Sequence, residues 1–421
     1  MAASDIADSG GYADGFALLA EMTRDFAASL DLEATLRRAL ASIARHVGAE
    51  AGSLWMLEPG GRELLCVASA GASPITGARL PAGEGIVGRC VRANASERVL
   101  DARVHPDFSP KIDDQSGFLT HSILCAPLAF SERVFGAIEL VNKHAGNGRF
   151  GERDAQLLEI LAAAAGLAVA NAHLARDQVE HERARRELEL AAEIQRSLLP
   201  PARAAPFPVQ AVNLPARTVS GDFYDFLELA DGRIAFCLGD VSGKGTNAAL
   251  LGARTASLYR CLARDGAGPG HLLARLDSEL HESATRGMFV TLAAGIYDPR
   301  DASVRLANAG HEPPLLRLPS GEVAAFPAEA PPLGVLGDAA FPERELHLAG
   351  GCLYVFSDGL TEAQGEAGEP LGPEGVLSLL ERFAAKPLRE RIDATVAALA
   401  SLGLRDDATL LGLCEGAGAP R

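Results

Sequence analysis

Four aspartates carry the strongest chemical signal in this chain: Asp222 in SGDFYD, Asp240 in GDVSGKG, Asp358 in SDGLTEA and Asp406 in RDDATLL. Each is expected where an apolar strand such as FCLGD or YVFSD ends in a short polar or glycine-containing turn. A buried carboxylate is costly unless positive charge meets it. No matching run of Lys or Arg lies nearby, so the four point to divalent cations, and all-oxygen ligands suit Mg2+ or Mn2+ rather than zinc. Two adjacent ions would lower the pKa of a shared water from about 15.7 towards neutrality and aim it at phosphorus. They would also neutralise phosphoryl oxygens as charge develops. Such chemistry needs no Ser or Cys nucleophile, and no G-x-S-x-G elbow is found.

The stretch GDVSGKGTNAALL looks at first like a phosphate-binding loop, but the spacing fails. Gly239 and Gly243 enclose one residue too few, and Lys244 is followed by Gly245 rather than Ser or Thr. The turn makes better sense as a holder for Asp240, close enough for the Val241 carbonyl to add an oxygen ligand.

The elements that must position these residues fall into two domains. In residues 205–415, strands and helices alternate: GRIAFCLGDVS, MFVTLAAGIYDP, SVRLANAGHEPPLLRL, GCLYVFSDG and DDATLLGLCE read as strands, with paired helices between them. That order suggests α+β, with helices packed on antiparallel sheets. Upstream, a helix is expected over 16–47, with Leu32, Leu36, Leu40, Ile43 and Val47 at helical spacing. Strands follow, including the pair HSILCAPLAF and VFGAIELVNK around a tight turn. A last helix starts near Gly151 and meets no proline until Pro200-Pro201. Its 154–199 portion reads as a linker and coiled coil, with seam positions Leu174, Asp177, His181, Ala184, Leu188, Ala191, Gln195 and Leu198. Residues 1–15 are expected to be disordered.

Composition narrows the function classes. The 421 residues contain 48% hydrophobic and 22% charged residues, ordinary for globular domains. A formal net charge of −16 argues against nucleic acid or anionic membranes as partners. The apolar stretch 157–175 carries Glu159, Asn171 and His173, which suits a buried or dimer-facing helix better than a membrane span. The first residues lack the basic region and apolar core of a signal peptide, so a cytoplasmic location is expected. The seven cysteines are spread singly and read as buried reduced thiols.

The motifs SGDFYDF, GDVSGKGTNAALL, MFVTL, NAGHEPPLL, PPLGVL, SDGLTEA and DDATL occur in order. Together they resemble the SpoIIE/RsbU branch of the PPM (protein phosphatase 2C-like) serine/threonine phosphatases, over about residues 190–415. The resemblance implies an αββα sandwich with a centre of two Mn2+ or Mg2+ ions. Its substrate would be a phosphorylated STAS-domain protein, in a partner-switching pathway that controls a sigma factor. Asp222 and Asp240 would be the bridging pair, Val241 would lend its carbonyl, and Asp358 and Asp406 would complete the site. Asp225 and Asp407 would stand behind them. His311 of NAGH is a candidate general acid or phosphate-orienting group, with Arg217 and Lys244 as candidate phosphate contacts. Ser220 stands where many relatives have glycine.

Residues 16–175 carry a second resemblance, to GAF sensor domains, built as an antiparallel sheet with helices. LPAGEGIVGRCV and VFGAIELVNKHAGNGRFGERD follow the sub-pattern of cyclic-nucleotide phosphodiesterases. Asn142, Lys143, Phe150 and Asp154 match its NK…F…D spacing and are the candidate ligand residues, while Ala155 replaces the usual Glu. The implied ligand is unidentified, with a cyclic nucleotide as one candidate. The expectation is a GAF-regulated phosphatase, homodimeric through the GAF domain and linker helix. Its rival, a catalytically weak or inactive GAF-dimer adaptor, requires a lost metal ligand, and all four aspartates are present.

Overall fold

The computed structural model describes residues 17–415 except 19, 27–30, 145–147, 202, 204–206, 283–286, 366–367 and 402. The expected disordered segment 1–15 lies outside the described residues. The chain divides into two compact units, Met1–Glu182 and Arg183–Arg421.

In the first unit the expected helix over 16–47 is interrupted. Residues 20–26 are helical, and α1 (Leu32–Val47) begins afresh at Asp31, whose carboxylate accepts from the Ala34 N–H at 3.0 Å. This cap satisfies one orphan donor and sets the new start. The apolar stripe Leu36, Leu40, Ile43 and Val47 is buried. It packs on one face of a six-stranded antiparallel sheet, order β3-β2-β1-β6-β5-β4. The strands are β1 (Ala49–Leu57), β2 (Glu63–Ala70), β3 (Arg79–Pro81), β4 (Glu97–Val99), β5 (Ile123–Phe130) and β6 (Arg133–Lys143). The opposite face is covered by α2 (Gly85–Ala93) through Ile86, Val87 and Cys90.

The long helix α3 runs unbroken over Glu152–Leu198. Leu158, Leu161, Ala162, Ala165 and Val169 join the α1 side of the sheet core. The lone glycine in this helix has a packing reason. A Cβ on Gly166 would stand 2.5 Å from the Ala129 carbonyl oxygen, so any side chain would lift the helix off β5. The apolar stretch is long enough to cross a membrane by length and composition, yet nearly half of it is packed within the fold. Two of the expected seam positions, Ala191 and Gln195, are engaged within the second unit by the contacts described below.

The second unit holds two five-stranded antiparallel sheets. One has the order β14-β11-β10-β9-β8, from β8 (Phe223–Glu228), β9 (Ile234–Val241), β10 (Val290–Asp298), β11 (Ser303–Ala309) and β14 (Arg344–His347). The other has the order β13-β12-β15-β16-β7, from β7 (Val209–Leu214), β12 (Leu315–Arg317), β13 (Val323–Ala325), β15 (Cys352–Phe356) and β16 (Ala408–Cys414). Alternation along β9 shows how the layers arise. Phe236 and Leu238 enter the core between the sheets with Val355, Leu411 and Leu413, while Ala235 and Cys237 face helices α4 (Thr246–Ala263) and α5 (Pro269–Glu282). Helices α6 (Asp358–Thr361), α7 (Gly372–Arg382) and α8 (Leu388–Ala400) cover the outer face of the second sheet. The result is the expected α+β sandwich of four layers. The segment SVRLANAGHEPPLLRL is two strands in different sheets, and the chain crosses between them at Gly310 and His311.

The thiol expectation is corrected at one pair. Cys352 and Cys414 face each other in register across β15 and β16 and form a disulfide, which their distance in sequence had concealed. Cys66, Cys90, Cys125 and Cys237 are free and buried, and Cys261 is free and exposed.

Candidate metal centre

Asp240 and Asp358 stand at strand ends as expected, Asp240 near the end of β9 and Asp358 just after β15. Asp222 and Asp406 instead precede strands, β8 and β16. Antiparallel pairing explains the difference: β8 pairs with β9, and β15 with β16, so the start of one strand lies beside the end of its neighbour.

Asp222 is buried, and its Oδ2 accepts hydrogen bonds from Ser357 Oγ at 2.6 Å and Thr409 Oγ1 at 2.7 Å. Burial, and then the charge of Asp240, push its carboxyl well above the usual carboxylate range. Burial followed by the charge of Asp358 raises Asp240 to about 7. Asp358 is raised by burial and then by Glu362 and Asp406. These carboxylates raise one another because too little positive charge stands among them. Lys244 Nζ lies 2.6 Å from Asp406 Oδ2. A Cβ on Gly221 would lie 3.4 Å from the Val241 carbonyl and 3.5 Å from Asp240 Oδ1, so both oxygens border the backbone that leads into Asp222. Among the described residues, no three His, Cys, Asp or Glu side chains close tightly enough on one point to form a metal cluster. The donor set is nevertheless of the type that fits hard cations: oxygen only, anionic and mutually repelling.

The remaining candidates lie at different depths. Asp407 accepts from the Ala216 and Gly221 N–H groups at 2.8 and 2.7 Å, tying the loop before β8 to β16. Asp225 is drawn away by the guanidinium of Arg260, whose Nε donates at 2.8 Å, so it belongs to an ion pair rather than to the cluster. Arg217 is exposed and near enough to Lys244 for their charges to repel. His311 is buried at the crossover between the sheets, with Nδ1 2.9 Å from Thr291 Oγ1 and its backbone N–H donated to Asn308 at 2.8 Å. Burial pushes its imidazole down to about 4. Thr291 is the register partner of Asp240. A neutral, enclosed imidazole there suits orienting Thr291 rather than protonating a leaving group. Sequence reasoning missed Ser357 and Thr409, whose hydroxyls hold Asp222. They sit beside the expected aspartates in SDG and DDAT, and that adjacency was the available signal.

In the first unit the four GAF candidates do not line the cavity on the α2 side of the sheet. Asn142 accepts from the backbone N–H groups of His121 (2.7 Å) and Ser122 (3.3 Å), and donates to the Leu119 carbonyl (2.8 Å) and to Glu50 (2.8 Å). Lys143 pairs with Asp154, which also accepts from Gly151 N–H at 2.7 Å. Phe150 is in the core. The Lys143–Asp154 pair fastens the start of α3 to β6, and Asn142 ties β6 to residues 119–122 and to β1. The cavity lies on the α2 side of the sheet, encloses about 80 Å³ and is lined by Ser53, Trp55, Ile86, Phe108, Asp113 and Glu139 among others, with no Lys, Arg or His among its lining residues. Glu139 accepts from Ser53 Oγ at 3.0 Å, and burial raises its carboxyl to about 7.

Comparison with known proteins agrees with both units. The family model described as Stage II sporulation protein E (SpoIIE) matches residues 230–414, and a GAF domain model matches residues 29–170. Both matches are consistent with a GAF domain followed by a PPM/SpoIIE–RsbU-type phosphatase domain. Phosphoserine phosphatase RsbU of Bacillus subtilis is 29% identical over 235 residues, covering 54% of this chain and 69% of RsbU. Protein IcfG of Synechocystis sp. is 29% identical over 233 residues, covering 48% of this chain, and the chain spans only 37% of IcfG. The SiaA-PP2C domain of Pseudomonas aeruginosa superposes with a TM-score of 0.50 at 25% identity, covering 56% of this chain and 98% of that domain. The SpoIIE match contains Asp240, Asp358 and Asp406, and Asp222 lies just before it.

Proposed function

We propose that the chain is a metal-dependent protein serine/threonine phosphatase controlled by its GAF domain. Its substrate is a phosphorylated STAS-domain protein of the kind that antagonises an anti-sigma factor. The observation that carries this reading is the set of aspartates, drawn from four separated motifs, gathered at one end of the sandwich, where burial and then neighbouring carboxylates push Asp222, Asp240 and Asp358 upward. Asp222, Asp240, Asp358 and Asp406, with the Val241 carbonyl, would hold two Mn2+ or Mg2+ ions, and the ions when bound would supply phosphoryl charge neutralisation and an acidified water. The protein's own part is positional. Ser357 and Thr409 fix the Asp222 carboxylate, and Asp407 ties the loop before it to β16. The name of the relative RsbU supports phosphoserine as the substrate group.

The GAF cavity is read as a site for a small uncharged or cationic ligand. A phosphate placed there would meet Glu139 and Asp113 with no cation to receive it, which argues against a cyclic nucleotide. Homodimerisation through α3 is supported by Ile160, Leu167 and Leu174, exposed apolar residues seven apart.

The test is hydrolysis of p-nitrophenyl phosphate and of a phosphorylated STAS protein by the full chain with and without Mn2+. Asp240→Asn and Asp358→Asn should each lower the metal-dependent rate by about 100-fold or more. Metal-independent activity, or an unchanged rate in both variants, would sink the proposal.

A further inference from the structure

The last turns of α3 grip the backbone that carries Asp222. Gln195 uses both ends of its amide on one residue: its Nε2 donates to the Ser220 carbonyl at 2.6 Å, and its Oε1 accepts from the Ser220 N–H at 3.0 Å. Beside it, Ala191 and Ala192 pack against Val219 and Ala249, so the helix is seated on the same loop and on α4. Small residues at these positions allow the close approach that a two-point amide clamp needs.

The grip passes directly into the candidate metal centre. Ser220 Oγ accepts from the Asp222 N–H at 3.1 Å and from Asn213 Nδ2 at 3.0 Å. Asn213 Nδ2 also donates to Thr409 Oγ1 at 2.7 Å, and that hydroxyl donates to Asp222 Oδ2. Gly221 N–H is held by Asp407. Residues 220–222 are therefore held from the sheet side by Asp407, Asn213, Ser357 and Thr409, and from α3 by Gln195. Only the last belongs to the helix whose other end is packed in the GAF core.

We propose that Gln195 is a positioning residue that sets where Asp222 stands, so that movement of α3 along or about its axis is read as a change in metal affinity. The proposal rests on the metal-phosphatase reading for its consequence, but not for the clamp itself. A helix shift of even one residue would carry the amide away from Ser220, because the rise of about 1.5 Å per residue exceeds the tolerance of a hydrogen bond. The Ser220 N–H and carbonyl would then lose their partner, and the loop would be held from the sheet side alone.

Two readouts on the full chain keep the clamp and the function separable. The first is hydrogen exchange of metal-free protein. Gln195→Met preserves length and helix propensity but removes both hydrogen bonds. It should speed exchange of the amides in 216–224 at least about tenfold, with β9 unchanged. The second is Mn2+ affinity by titration calorimetry, which should weaken about tenfold in Gln195→Met and less in Gln195→Glu, whose carboxylate retains only the acceptor. Gln178→Leu, an exposed change on the same helix, should alter neither readout. Unchanged exchange in 216–224 would overturn the clamp. Faster exchange with unaltered Mn2+ affinity would overturn its link to the metal. If the parent chain bound no Mn2+, the metal-phosphatase reading would fail, and exchange alone would decide the clamp. Should Gln195→Met fail to fold, Gln195→Glu must still speed exchange, or the clamp is refuted.

Discussion

Gly359 offers a steric test of the candidate metal centre that leaves every carboxylate in place. It follows Asp358 and lies against the residues that carry Asp406 and Asp407. A Cβ added there would stand 2.0 Å from the Asp407 carbonyl oxygen, 2.8 Å from the Asp407 carbonyl carbon and 3.2 Å from that of Asp406. Relieving the first contact requires the two segments to part by about 1 Å or more, and overpacking of this kind costs roughly 1–3 kcal/mol. A misplacement of about 1 Å between catalytic groups costs on the order of 100-fold in rate. Gly359→Ala should therefore lose about 100-fold in Mn2+-dependent kcat/KM on p-nitrophenyl phosphate while still unfolding cooperatively, at a lower midpoint. Gly232→Ala is the control: its backbone is left-handed at φ +85° with nothing within 4 Å of a new Cβ. It should cost about 1–2 kcal/mol from backbone strain and nothing in rate. If Gly359→Ala kept kcat/KM within about threefold of the parent, the argument that Asp358 and Asp406 must approach this closely would be refuted.

Asn142→Ala should destabilise the GAF unit by about 2–4 kcal/mol in urea unfolding, because two backbone N–H groups and a carbonyl lose their partner. A loss under about 0.5 kcal/mol would contradict a structural role. Glu139, raised to about 7 by burial, keeps its proton in the fold over a range where the unfolded chain has released it. The GAF unit should thus lose stability as pH rises from about 4.5 to 7, by up to about 3 kcal/mol, and level off above. Glu139→Gln should flatten that slope in midpoints measured between pH 5 and 8, and an unchanged slope would rule Glu139 out as its source. The Cys352–Cys414 disulfide closes a sequence separation of 62 residues, which the chain-entropy account values at about 4 kcal/mol. Dithiothreitol should lower the urea midpoint of the second unit and leave a Cys352→Ala/Cys414→Ala chain unaffected. A midpoint indifferent to reductant in the parent would refute the pairing.

Much of the architecture was legible in residue order alone, because it depends on local rules. Alternation marked strands such as IAFCLGDV, proline stopped the long helix at Leu198, and the order of elements implied helices on antiparallel sheets. The expected helix over 16–47 failed where Asp31 offered a capping carboxylate in mid-pattern, a local signal outweighed in the reading by periodicity. The aspartates were legible as a set because each sits in a distinctive turn. Contacts between distant segments were not legible. Asp225 resembled its neighbour Asp222 in sequence, and only the packing of α4 brings Arg260 to claim it. Lys143 and Asp154 matched a ligand-linked pattern, yet the fold spends them on each other. Cys352 and Cys414 became partners through strand register, and Gln195 found Ser220 because α3 settles on the loop before β8. By itself, then, the sequence determined which residues have the chemistry to hold metal ions and which segments are helix or strand, since charge, alternation and chain stiffness act over a few residues. The tertiary structure decided which of those groups meet, because a side chain's partner is set by packing and register between segments far apart in the chain.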